Sequence, residues 1–158
     1  NWIFTYSSND KYVLFKLFKY LLMLKKLKKL NYIYLKGHPT WKHNNIDEYF
    51  FKLLKKKDIK YRILNPHRNI NYLKYYGLIT APSTVLLESA YNNINIKIIG
   101  IKKDKNITSG LLFKFYYANK NKIVWEPSIK KLNYYLLRKH ETKIKTLNLK
   151  RFFSKIFA

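Results

Sequence analysis

Two short segments combine residue types that can hold a phosphate. Lys36-Gly37-His38-Pro39 closes one apolar run, and Ser83-Thr84 opens another, with Glu88 four residues beyond Thr84. A helix starting at Ser83-Thr84 presents backbone N–H groups that lack intrahelical partners, together with the positive end of the helix dipole. The two hydroxyls add donors at the same point. Glu88 lies one turn deeper on the same helix face, where a carboxylate can accept hydrogen bonds from ribose hydroxyls. Pro39 biases His38 towards an extended backbone. An imidazole there can reach a phosphate or protonate a leaving phosphate oxygen. Lys36 adds positive charge to the same turn. Taken singly, each feature has an ordinary reading: a Ser cap, a solvated Glu, a structural His.

The elements that must position these residues follow from periodicity. Trp2 to Tyr6 reads as a strand, and Asn9 or Asp10 can cap a helix running to about Lys29. Tyr32 to Leu35 reads as a short buried strand ending in a loop at 36–39. Asn45 to Lys57 is an amphipathic helix with Ile46, Tyr49, Phe50, Leu53 and Leu54 on its apolar face. Strands follow at 59–64, 77–80 and 95–101, with a short helix at 69–75 and a helix entered at Ser83-Thr84. Beyond a charged loop at 102–106 the pattern weakens. Residues 111–117 are ambiguous, 122–125 is a candidate strand, Glu126-Pro127 a helix start, and 128–139 a helix. The alternation describes an α/β fold with a Rossmann-like parallel sheet flanked by helices. Residues 1–140 form one nucleotide-binding domain, and 141–158 a basic amphipathic C-terminal helix. In such sheets ligands bind beyond the carboxyl ends of the strands. Both singled-out loops follow strands and precede helices, so they belong on that edge.

Lys-x-His-Pro after one strand and Pro-Ser-Thr-x-x-x-Glu after another, about 45 residues apart, resemble the C-terminal nucleotide-binding domain of GT-B glycosyltransferases. The likeness is greatest to the capsule and lipooligosaccharide group that includes bacterial polysialyltransferases. CDP-glycerol glycerophosphotransferases and capsule Kdo transferases share similar motifs. It spans Leu35 to Ile99. It implies one half of a GT-B fold that binds a CMP-linked nucleotide sugar and needs no metal. His38 would contact the phosphate and serve as general acid to the leaving nucleotide, with Lys36, Gly37 and Pro39 completing its loop. Ser83 and Thr84 would bind the phosphate, and Glu88 the nucleoside. Pro82 departs from the pattern, standing where many relatives have a further Ser. The partners implied are a nucleotide sugar and a glycan or glycolipid acceptor. In that group the acceptor-activating base lies in an N-terminal domain. The start at Asn1-Trp2-Ile3 without Met suggests a fragment lacking that domain, so the chain is expected to bind a nucleotide without turning over.

Composition bounds the rest. The chain has 158 residues, 47% hydrophobic, and a formal net charge of +25. That charge invites nucleic acid or an anionic membrane as partner. Lys, Asn, Ile and Tyr supply 77 residues, however, and Lys outnumbers Arg 29 to 4. Codons rich in A and T would produce the same bias, and Arg is the preferred residue for bidentate phosphate recognition. Nucleic acid is therefore not the expected partner. The rival reading is a basic RNA-binding protein such as an organellar ribosomal protein. Lysines spread evenly over the surface favour codon bias; lysines paving one face away from residues 38 and 83 favour RNA. No Cys is present, which excludes disulfides and thiolate metal sites. The histidines form no HxxxH or HExxH pair, so no metal site is expected. His43 and Asp104 read as solvated or turn residues, Trp41 and Trp125 as packing residues, while His67 or Arg68 could face the nucleotide. With no signal peptide or spanning segment, the expected location is the cytoplasm. The basic tail allows peripheral association with the inner membrane.

Overall fold

A computed structural model describes residues 1–6, 11–39, 45–81, 83–93, 95–101 and 122–138. The caps proposed at Asn9 and Asp10, the ambiguous stretch 111–117, and the basic tail 141–158 lie outside them.

Six strands among the described residues form one parallel sheet: β1 (Trp2–Tyr6), β2 (Ile33–Gly37), β3 (Tyr61–Ile63), β4 (Gly77–Thr80), β5 (Lys97–Gly100) and β6 (Ile123–Trp125). Their spatial order is β3-β2-β1-β4-β5-β6, every pairing parallel. The helices are α1 (Lys11–Lys26), α2 (Asn45–Lys56), α3 (Thr84–Asn92) and α4 (Ile129–Leu137), with a 3-10 turn at Tyr72–Lys74. The α/β Rossmann-like reading of the sequence is thus what the chain adopts. The central strands β1, β4 and β5 are largely apolar and buried because both faces are covered. Trp2, Phe4, Ile79 and Ile99 pack with α1, α2 and α4. Their neighbours Ile3, Leu78 and Ile98 point the other way, onto α3.

α1 buries Val13, Leu14, Leu17, Tyr20, Leu21 and Leu24, the i, i+3, i+4 stripe of a helix laid on a sheet. It ends where Lys28 takes a left-handed conformation (φ 56°) and Lys29 N–H reaches back to the Leu24 carbonyl. α2 ends the same way, with Asp58 at φ 51° and Ile59 N–H bonded to the Leu54 carbonyl. Both are Schellman closures built without the usual glycine.

Several boundaries differ from the sequence reading. β2 runs on through Lys36 and Gly37 because β1 continues to pair with it, Thr5 opposite Lys36 and Tyr6 opposite Gly37. Only His38 and Pro39 leave the strand. The short helix at 69–75 is a 3-10 turn, set by the Asn71 side chain accepting from Leu73 N–H. In α2, Tyr49 faces out (55% exposed), and the buried residues include Asp47, Phe50 and Leu54. Glu126 does not start a helix. It sits at φ 38°, and the Ser128 side chain caps α4 by accepting from Lys131 N–H.

Two contacts hold the sheet's centre and its edge. The Trp2 indole is fully buried, donates from Nε1 to the Lys29 carbonyl (3.0 Å), and lies across Gly77 on β4. At the far side, the Tyr135 hydroxyl accepts from Ile98 N–H and donates to the Lys122 carbonyl, joining α4 to β5 and to the start of β6. Buried Lys97 places its ammonium on the Tyr135 and Arg138 carbonyls at the end of α4, where a cation suits the helix dipole. Burial lowers the Lys97 pKa, helped by Arg138; burial together with nearby Lys97 brings Lys122 down to about 8. Burial raises the hydroxyl pKa values of Tyr20, Tyr72 and Tyr135.

Two predictions follow from these packings. A Cβ on Gly77 would stand 2.3 Å from the Trp2 ring, which is pinned by its own hydrogen bond. Gly77→Ala should therefore lower unfolding free energy by at least about 2 kcal/mol in denaturant titration. Gly100→Ala, which meets the half-buried Trp125 ring, should cost less. The second concerns pH. The unfolded chain holds lysine protons up to about pH 10.4, whereas folded Lys122 releases its proton near 8. Stability should rise as pH increases from about 7 to 9. Above about 10 it should fall, because unfolded tyrosines ionise before the buried ones do. Thermal unfolding across that range checks both limbs, and Lys122→Met should flatten the first.

Candidate functional site

The chain builds β1, β2 and β3 outwards in one direction, then returns to place β4 on the other side of β1. The connections leaving β1 and β4 must therefore diverge. This is the point where open α/β sheets form a crevice outside the strand carboxyl ends. A cleft of about 140 Å³ lies there, with Lys36, Gly37, His38 and Pro39 on one side and Ser83 and Val85 on the other; Thr5 and Thr80 also line it.

Thr5 and Thr80 are the last residues paired between β1 and β4. Their hydroxyl oxygens are 2.8 Å apart, and Thr80 also donates to the Ala81 carbonyl (3.1 Å). With Thr80's one proton so directed, Thr5 donates to Thr80. This side-chain bridge joins the two strand ends where their loops part. Lys36 reaches sideways and donates to the Pro66 carbonyl (2.8 Å), joining the end of β2 to the turn after β3. Gly37 is buried in the strand, whereas His38 and Pro39 are exposed.

Ser83 is the N-cap of α3, its backbone fully extended (φ −163°, ψ 170°), and Thr84 opens the helix. The Ser83 hydroxyl makes no capping bond to α3. With Lys36, His38 and a helix N-terminus converging, and no carboxylate among the described residues that line it, the cleft favours an anion. No group of His, Cys, Asp or Glu suited to a metal ion occurs among the described residues.

The structure brings Lys36, Gly37, His38, Pro39 and Ser83 to one cleft, and Thr84 follows directly. Glu88 stands apart from it. Its Oε2 accepts from the Tyr72 hydroxyl (2.8 Å), and it lines a separate hollow of about 430 Å³ of mixed character, with Asn69, Asn71 and Asn92 beside Ile70 and Leu73. Burial and this bond to Glu88 raise the Tyr72 pKa. His67 and Arg68 are exposed, and neither lines the cleft. A larger apolar groove of about 600 Å³ runs between β6 and α4. Trp125 is a packing residue over Gly100. Trp41, His43 and Asp104 lie outside the described residues, as does Pro82.

Sequence reasoning missed Thr5, Thr80 and Tyr72. The first two had a signal: each is the hydroxyl residue that follows an apolar strand run, Trp2-Ile3-Phe4 or Leu78-Ile79. Tyr72 had none, since its partner is sixteen residues away, beyond β4 on α3.

The chain matches no family model and no curated protein. The site is therefore read from its own geometry. The threonine bridge gives one direct test. Thr80 is buried, so Thr80→Val removes a hydrogen-bonded hydroxyl while keeping the shape. It should cost about 1 kcal/mol in equilibrium unfolding.

Proposed function

We propose that the chain is the donor-nucleotide-binding part of a glycosyltransferase that uses a CMP-linked sugar in surface-polysaccharide synthesis. The observation that carries this reading is the convergence of His38-Pro39 and the Ser83-Thr84 helix entry on one cleft at the reversal of strand order. A parallel sheet with an anion-favouring crevice is shared by many nucleotide-binding proteins. The pairing of those two motifs, in this order, is what narrows the reading to the polysialyltransferase-like group.

On this reading the donor phosphate sits between the α3 N-terminus and His38. In transfer, an acceptor oxygen bonds to the anomeric carbon as the bond from that carbon to the phosphate oxygen breaks. The electron pair leaves with CMP. Negative charge grows on the phosphate, and the α3 backbone N–H groups and the Ser83 and Thr84 hydroxyls stabilise it. His38 donates a proton or a hydrogen bond to the same phosphate. Lys36, held on the Pro66 carbonyl, supplies fixed positive charge from the side. A contact from Glu88 to the ribose has to share the carboxylate with Tyr72. The base that activates the acceptor belongs to the acceptor-binding domain of such enzymes.

The test is a thermal unfolding titration. CMP should raise the midpoint, by the equivalent of about 2.7 kcal/mol once its concentration reaches a hundred times Kd. Ser83→Ala combined with Thr84→Ala should abolish the rise, each protein being compared with its own nucleotide-free baseline. His38→Ala should weaken it. No shift with CMP, CDP or UDP would sink the reading.

A further inference from the structure

The edge of the sheet opposite the cleft carries a charge density that nucleotide binding does not use. α1 and α2 both end there, and each ends in lysines. Lys25, Lys26, Lys28 and Lys29 surround the close of α1, and Lys55, Lys56 and Lys57 the close of α2. Lys60 follows just before β3, and all of these side chains are exposed. The two groups form one surface, because the Lys25 ammonium donates to the Lys57 and Asp58 carbonyls. Asp58 is the one acid within those two stretches.

Helix C-termini attract cations, and one or two lysines per helix would satisfy that demand. This edge holds several more. Lysines also occupy exposed positions on the outer faces of α1, α2 and α4, so codon bias accounts for part of the basicity. It does not account for the gathering of so many at one edge, where every added charge is repelled by the rest.

We propose that this amino-terminal edge of the sheet docks on an anionic lipid surface. Lysines on an edge away from residues 38 and 83 also suit RNA, but three observations favour lipid. The cations are lysines, compact charges suited to a diffuse field rather than to bidentate phosphate recognition. They project from the ends of two neighbouring helices that close at the same edge of one sheet, an arrangement that presents a face rather than a groove. Of the aromatic rings at this edge, Tyr32 already has Lys60 and Arg62 against it (5.7 and 5.3 Å to the ring centre) and Tyr76 packs edge-on against Trp2, so base stacking would have to displace these contacts. Docked this way, the molecule turns the His38–Ser83 cleft towards the aqueous phase. The proposal does not depend on what the cleft binds.

The experiment is co-sedimentation of the full chain with vesicles of phosphatidylcholine alone or with about one-third phosphatidylglycerol. Binding should require the anionic lipid and should largely vanish at about 0.5 M salt. The variant Lys26→Gln, Lys29→Gln, Lys56→Gln and Lys57→Gln should lose on the order of 100-fold or more in partitioning. The control Lys11→Gln, Lys130→Gln and Lys131→Gln, at helix starts on the opposite edge, should lose much less. Circular dichroism and thermal unfolding confirm that both remain folded. Vesicle binding that survives in the four-site variant, or falls equally in the control, overturns the proposal. So does an absence of vesicle binding alongside salt-sensitive binding of duplex or single-stranded RNA.

Discussion

β1 is paired in parallel on both sides, to β2 and to β4, and the rest of the molecule is arranged around that strand. The pairing fixes which residues lie level with one another: Thr5 stands beside both Lys36 and Thr80. It also fixes where the chain must reverse its direction of growth, and so where a crevice opens. Trp2 anchors the opposite end of the strand, spread over Gly77 and bonded to the turn after α1. One short strand therefore couples the packing of the core to the shape of the cleft. A shift of one residue in its register would turn Phe4 to the wrong face and move Thr5 away from Thr80.

Charge is divided between the two ends of the sheet. Around the cleft it is held in place: Lys36 is fixed on a carbonyl, and the α3 N-terminus contributes dipole rather than formal charge. At the amino end it is dense, exposed and carried on flexible stems. The first arrangement suits one small anion in a defined pose. The second suits an extended negative surface with no required register. Buried Lys97 belongs to neither, since its ammonium ties α4 to the sheet.

Much of the fold was legible because parallel strands buried on both faces leave continuous apolar runs, and helices laid on them leave a 3.6-residue stripe. The strand at Trp2 to Tyr6 and the apolar face of 45–57 were of this kind, while the Ser83 helix entry was legible from its cap residue. What was not legible depended on partners distant in sequence. β2 extends to Gly37 because β1 is there to pair with it. Tyr49 faces out although its spacing puts it beside the buried stripe. The positions of Lys36, His38 and Ser83 around one cleft followed from strand–loop–helix order alone. The threonine bridge and the bond from Tyr72 to Glu88 did not, because each needs the strand order or a turn conformation that no local pattern encodes.

The two left-handed helix ends, Lys28 and Asp58, bear on how this sequence tolerates its own composition. Glycine is scarce, four residues in all, and glycine codons are rich in G. A side chain in the left-handed region costs on the order of 1 kcal/mol, little enough for a stable domain to absorb. A Cβ at Gly77 or Gly100 would run into an indole ring. The chain thus does without glycine where backbone geometry alone asks for it and has it where atoms would collide. The helix ends are accordingly a reserve: positions at which the protein can be strengthened without disturbing the sheet, the cleft or the core.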